Sequence, residues 1–262
     1  MEIITLLIAG AIAGTLAGLF GIGGGTIIVP VIALVLETQG ISTEKIIKIA
    51  VGTSLATIMF TAISSVYAHH LRKAVDWQIF KVLTPWILLG TVIGTIIVDI
   101  MPGDILYVAF ILFLCAAATR LAIGNVKGTR QLPGLTGMAT VGTLNGIVSA
   151  MMGIGGGVIN VPFFTYCSVP IKRAIATAAA IGLPLATVSA IGFVIIGLDE
   201  TDLPKASLGY INLPIFASVV SASVLFAPLG AKLAHSLPER ALNIFFSIFL
   251  FVMAGSMAWT LL

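Results

Sequence analysis

Apolar residues in this chain come in long uninterrupted runs separated by short polar breaks, without the alternation of a half-buried strand. Eight runs are long enough to cross a bilayer as helix: Ile3 to Phe20, Ile46 to Ala68, Ile79 to Val98, Ile105 to Ile123, Leu135 to Met152, Ala174 to Gly197, Leu208 to Ala234 and Ala241 to Leu262. Two more, Thr26 to Leu36 and Val158 to Ser168, have eleven residues each and as helix reach only about 16 Å. Each follows a glycine cluster, so each is predicted as the second arm of a broken helix or hairpin beginning inside the membrane. The pattern predicts an all-α polytopic membrane protein with about 8–10 membrane helices.

The chain also repeats itself. GTLAGLFGIGGGTIIVP (Gly14 to Pro30) aligns with GIVSAMMGIGGGVINVP (Gly146 to Pro162) at nine identical positions of seventeen, including Gly21 and Gly153, both glycine triplets and both prolines. Further on, Ile47, Lys48, Ala50 and Thr53 match Ile171, Lys172, Ala174 and Thr177, and Gly94, Pro102 and Leu106 match Gly230, Pro238 and Leu242. The order of matches is kept, which predicts a duplicated unit: residues 1–124 and 135–262, joined by a polar linker at 125–134.

Composition narrows the class. With 59% hydrophobic and 9% charged residues, and a mean hydropathy of +1.17, a water-soluble domain is excluded. The net charge of +3 comes from Lys and Arg scattered through short loops, with no basic tract of the kind nucleic acid requires, so no nucleic-acid partner is expected. Those charges report topology instead. Placing Arg72, Lys73 and Lys81 in the cytoplasm also puts Arg120, Lys127, Arg130, Lys172, Arg173, Lys232 and Arg240 there, ten of the thirteen basic residues. Each repeat then makes a hairpin plus three crossings, so the second repeat sits upside down relative to the first, and both termini lie outside the cytoplasm.

The chemistry is expected at GIGGG. Consecutive glycines disfavour helix by about 1 kcal/mol each relative to alanine, and freed amides in lipid need partners. The short helices starting at Gly25 or Thr26 and at Gly157 or Val158 point their N-H groups and positive dipole ends at a protein-lined cavity, which is an anion site. Candidate substrate contacts are Gly23, Gly24, Gly25, Thr26, Thr53 and Ser54 in the first half, and Gly155, Gly156, Gly157, Asn160 and Thr177 in the second. Asn160 faces Ile28 in the repeat alignment, which predicts an asymmetric site. Pro30 and Pro162 are expected to cut the short helices again, and Gly10, Gly14 and Gly18, four residues apart, to serve helix packing. Lys48, Asp99, Arg120 and Lys232 lie near helix ends, where snorkelling accounts for them, and His69 and His70 end a span as an interfacial pair. GIGGGT lacks the lysine of a phosphate loop. Cys115 and Cys167 show no metal-ligand spacing and are expected to pack, and no catalytic constellation, metal site or cofactor is expected.

On the segments GLFGIGGGTIIVP and GIVSAMMGIGGGVINVP, with KIAVGTSLATI after the first, the chain resembles the TauE/SafE family, also called the sulfite exporter or TSUP family. The resemblance covers the whole chain. It implies a multi-pass inner-membrane permease of a prokaryotic cell for small sulfur-containing anions: sulfite, sulfonates such as sulfoacetate, or thiosulfate. A permease for another small organic anion or an amino acid is the alternative. The family's motif glycines carry over to Gly21, Gly23, Gly24, Gly25, Gly153, Gly155, Gly156 and Gly157, and its prolines to Pro30 and Pro162. The second half departs after its motif, where Ala178 stands in place of the serine of AVGTSL. An inside-negative potential drives a monovalent anion outward, so export or facilitated diffusion is favoured, and uptake would require a co-ion.

Overall fold

A computed structural model describes residues 2–21, 23–123, 131–233 and 239–260. The helices are α1 (Glu2–Phe20), α2 (Gly25–Thr38), α3 (Thr43–His70), α4 (Trp77–Ile100), α5 (Gly103–Ile123), α6 (Leu135–Met151), α7 (Gly157–Tyr166), α8 (Ile171–Ile196), α9 (Leu213–Leu233) and α10 (Glu239–Thr260). Among the described residues six of them, α1, α3, α4, α5, α8 and α9, are long and apolar enough to cross a membrane, against eight expected. The difference lies in α6, which has 17 residues, and α10, whose apolar stretch among described residues is Leu250–Trp259. The expected linker 125–134 falls largely outside the described residues.

The start of α9 also differs from the apolar run. Ser207–Leu208 (β1) pairs antiparallel with Ile211–Asn212 (β2) around Gly209 and Tyr210, and α9 begins only at Leu213. Asn212 supplies the reason: its side-chain oxygen accepts from the Ile215 N-H at 3.1 Å, an N-cap that fixes where the helix begins.

Close helix contacts are made by glycine faces. On α1, side chains at Gly10, Gly14 and Gly18 would run into the carbonyls of Val219, Ser223 and Ala227, so the two helices advance together in steps of four residues and run parallel. The packing expected of these three glycines is what the structure shows. On α6, Gly142 and Gly146 meet Leu83 and Ile87 of α4 in the same four-residue step. The most extensive contacts are therefore α1 with α9 and α4 with α6. At the centre α3 crosses α8 in the antiparallel sense: Gly52 meets Phe193, while Ile58, Ala62 and Ser65 gather with Ala179 and Gly182. α3 is the most buried of the six spans, and α5 pairs with α10 at the flank, where the Ser247 hydroxyl donates to the Ala118 carbonyl at 2.7 Å.

These contacts set an expected outcome. Gly14→Ala overlaps backbone atoms of α9 and should lower stability in detergent by ~1–3 kcal/mol. Gly255→Ala, with nothing within 4 Å of the added methyl, should not. Thermal melts of the purified variants check both.

Candidate functional site

The two glycine motifs meet. α1 ends at Phe20, and α2 starts from Gly24, an N-cap with φ of +79°. α7 starts from Gly156 in the same left-handed geometry, φ +75°. Only glycine adopts this conformation without cost, and neither cap carries a side-chain bond. The first backbone bonds of α2 run from Ile27 and Ile28 to the Gly24 carbonyl, and those of α7 from Ile159 and Asn160 to the Gly156 carbonyl. The amides before them, on Gly25 and Thr26 and on Gly157 and Val158, have no acceptor within their own helices.

Between the motifs no side chain fits. A Cβ on Gly23 would lie 3.1 Å from the Gly155 Cα, and one on Gly25 would overlap the Gly153 carbonyl. From α8, a Cβ on Gly182 would lie 2.7 Å from the Gly155 oxygen. Ser54 of α3 ties the junction together by donating its hydroxyl to the Gly153 carbonyl at 2.9 Å. Gly21, Gly23, Gly155 and Gly182, with Ser65, line a cavity of about 10 Å³ at this junction. That is the space of about one water molecule, too small for a polyatomic anion.

Polar groups at the two helix starts differ. The Thr26 hydroxyl, in the first turn of α2, is fully buried and without a partner. Asn160, in the first turn of α7, accepts at its side-chain oxygen from the Asn145 amide at 2.5 Å, and Asn145 in turn accepts from the Ser149 hydroxyl at 2.8 Å. All three side chains are buried, and the Asn160 Nδ2 has no partner. Repeat positions of Asn145, Ser149 and Asn160 in the first half are Ala13, Ala17 and Ile28, so the polar cluster belongs to one half only. Sequence reasoning singled out Asn160 and missed Asn145 and Ser149. The signal was present in the same alignment, as two further polar residues facing alanines one helical turn apart.

Thr53 and Thr177 have matched partners. The Thr53 hydroxyl accepts from the Asn212 backbone N-H at 3.0 Å, and the Thr177 hydroxyl accepts from the Asp76 backbone N-H at 2.9 Å. Asp76 caps α4 just as Asn212 caps α9, with its carboxylate accepting from the Gln78 and Ile79 amides. Each threonine thus holds the start of a helix from the opposite half of the chain. Pro30 and Pro162 do not cut the short helices: α2 continues to Thr38 and α7 to Tyr166. The prolines lack the N-H that would bond four residues back, which frees the carbonyls of Thr26 and Val158 from the helix ladder.

Among the described residues no charged side chain lines the junction cavity. Lys48 is more buried than snorkelling predicts, 8% exposed, and its ammonium donates to the Asp99 carbonyl at 3.2 Å beside the Tyr210 ring. Lys45 pairs with Glu200 at 3.3 Å, and burial together with the Glu200 charge raises the Tyr210 phenol above its usual pKa. His69 and His70 part company: His70 is exposed and edge-on to Trp77, whereas His69 is buried with Nε2 3.1 Å from the Gly18 carbonyl. Near the Asp76–Thr177 contact opens a vestibule of about 440 Å³, lined by Asp76, Gln78, Pro133, Ser168 and Arg173 among others. Among the described residues no group of His, Cys, Asp and Glu could hold a metal ion.

Comparison with known proteins bears on this architecture. A family model described as Sulfite exporter TauE/SafE matches residues 6–257. A probable membrane transporter protein of Haemophilus influenzae is 35% identical over 257 residues, covering 97% of each chain. One from Methanocaldococcus jannaschii is 29% identical, over 95% of this chain and 92% of its own, and a third, YdhB of Bacillus subtilis, is 23% identical over 88% and 89%. No solved structure matches the chain. With a match spanning nearly all of its length and relatives that are themselves probable membrane transporters, this multi-pass membrane protein belongs to the sulfite exporter TauE/SafE family of membrane transporters.

Proposed function

We propose that the chain is a secondary permease for small sulfur-containing anions, such as sulfite, sulfonates including sulfoacetate, or thiosulfate, working by alternating access at the glycine junction. One observation carries the reading: two helix N-termini, whose first-turn amides have no acceptor within their own helices, meet where buried donors, the Thr26 hydroxyl and the Asn160 amide, lack partners and where among the described residues no charged side chain lines the cavity. Donors of this kind favour an oxyanion. Gly23, Gly24, Gly25 and Thr26 receive it from one side, and Gly155, Gly156, Gly157 and Asn160 from the other. Thr53, Ser54 and Thr177 position the motifs and helix starts around it, with Gly21, Gly153, Pro30 and Pro162 shaping the turns and short helices. The family's description as sulfite exporters supports the choice of sulfur oxyanions.

The two halves act as inverted repeats in the inner membrane. Supporting this, the matching helices α3 and α8 cross antiparallel, and α1 pairs with α9 as α6 pairs with α4. The distribution of Lys and Arg supports a topology with both termini outside the cytoplasm and with the vestibule beside Arg173 as a cytoplasmic mouth. Rocking of one half against the other opens the junction to each side in turn. The membrane field contributes about 2.3 kcal/mol per charge per 100 mV, which favours outward movement of a monovalent anion without coupling.

Flux in proteoliposomes at a clamped potential tests the reading, with sulfite, thiosulfate, sulfoacetate, taurine and a dicarboxylate as the panel. Saturable, potential-sensitive flux of a sulfur anion is expected. Flux of only the dicarboxylate, or of none, overturns the substrate class. Gly24→Val and Gly156→Val place a β-branched residue at positive φ and should reduce flux to the level of empty liposomes while the protein still inserts in the membrane. Normal flux in both variants would sink the glycine-junction mechanism.

A further inference from the structure

Ser65 on α3 and Ser189 on α8 each stand twelve residues beyond a matched threonine, Thr53 and Thr177. Both serines are buried, 2% and 0% exposed, and neither hydroxyl has a partner. Helical serines and threonines in apolar surroundings ordinarily bond back to a carbonyl one turn earlier. Thr57, Thr61, Thr95 and Thr187 all do so, each to the carbonyl four residues before it. Ser65 and Ser189 depart from that habit at equivalent positions of the two helices that cross at the centre.

Their placement differs in sense. Ser65 lines the junction cavity together with Gly21, Gly23, Gly155 and Gly182. Ser189 lies seven residues beyond Gly182 and one turn beyond Leu185, whose Cδ1 would lie 3.3 Å from a Cβ on Gly156. It therefore shares the face of α8 that meets the second motif, where Asn160 and Ser149 are gathered. Because α3 and α8 run antiparallel, the two serines fall on opposite sides of the Gly23–Gly155 contact.

Resting on the permease reading above, we infer that Ser65 and Ser189 are ligand-facing hydroxyls, one in each half of the pathway, that donate to an oxyanion on either side of the glycine junction. A rotatable hydroxyl serves this purpose because it turns toward an oxygen when one arrives and leaves no fixed charge behind. The two halves are unequal. The Ser189 half is backed by the Asn145–Ser149–Asn160 cluster and offers more donors than the Ser65 half, whose neighbours are glycine, alanine and isoleucine.

Two measurements test the inference. In a background carrying Cys115→Ser and Cys167→Ser, Ser65→Cys and Ser189→Cys should react with an anionic methanethiosulfonate reagent added from opposite sides of oriented vesicles. Methanesulfonate, an inert oxyanion, should slow both reactions. In flux assays Ser65→Ala and Ser189→Ala should each raise KM about tenfold, the loss of one hydrogen bond to an anion. Ser65→Thr should restore it in part, and Thr187→Ala, whose hydroxyl is satisfied within its own helix, should change nothing. Thiols that never react, or sulfur-anion flux with unchanged KM and no protection, would overturn the inference and leave the permease reading standing. Thiols that are protected by a dicarboxylate, in a protein carrying no sulfur anion, would support the pathway and overturn the substrate class instead.

Discussion

Backbone amides that leave a helix inside a bilayer find no water to bond with, and each one stranded in hydrocarbon costs several kcal/mol. Against that, the intrinsic helix penalty of a glycine, about 1 kcal/mol, is small. The decisive constraint on this fold is thus where the broken segments are hidden. Here they hide against each other: Gly23 touches Gly155 and Gly25 touches the Gly153 carbonyl, with the Ser54 hydroxyl bonding that same carbonyl. Such closeness requires that nothing larger than hydrogen project from either chain. It also requires the surrounding helices to approach closely, which the glycine faces of α1 and α6 allow by admitting the carbonyls of α9 and α4.

A chain whose sequence repeats need not have a duplicated lining. The helix-start anchors are kept in both halves, with Thr53 holding the Asn212 cap and Thr177 holding the Asp76 cap. Each bond joins one half to the other, so the anchors also register the halves against each other. The Asn145–Ser149–Asn160 cluster follows a different rule. Asn145, Ser149 and Asn160 have only Ala13, Ala17 and Ile28 opposite them in the alignment. On the proposed reading, packing selects for matching shapes at both ends of the molecule, whereas a ligand that meets the two ends in sequence does not require every polar group to be repeated.

Much of this was legible in the chain. The runs of apolar residues located the long helices to within a few residues, because in a membrane protein length and hydropathy are set by the bilayer rather than by tertiary accident. The glycine clusters located both breaks, and the four-residue spacing of Gly10, Gly14 and Gly18 located a packing face. What the pattern missed depended on partners distant in sequence. The α9 start at Leu213 follows from a cap at Asn212 and a two-residue hairpin, both invisible to hydropathy. Pro30 and Pro162 were expected to end helices, but the surrounding protein tolerates the freed carbonyls and α2 and α7 continue. Burial of His69 and Lys48 likewise depends on Gly18 and Asp99, 51 residues away in each case.

On the proposed reading, an anion pathway built without a fixed cation meets the need to release as well as to bind. A buried guanidinium or ammonium would have to be desolvated at a cost of several kcal/mol and would then hold its anion with a Coulomb attraction that low dielectric makes large. Amides at helix starts and rotatable hydroxyls supply partial charges only, enough to replace part of a hydration shell and weak enough to surrender it. The field across the membrane then acts on the anion's own charge alone. On the proposed reading, a neutral site leaves that charge uncompensated during the crossing, so outward movement is driven directly by the inside-negative potential and the protein's task reduces to exposing the junction to one side at a time.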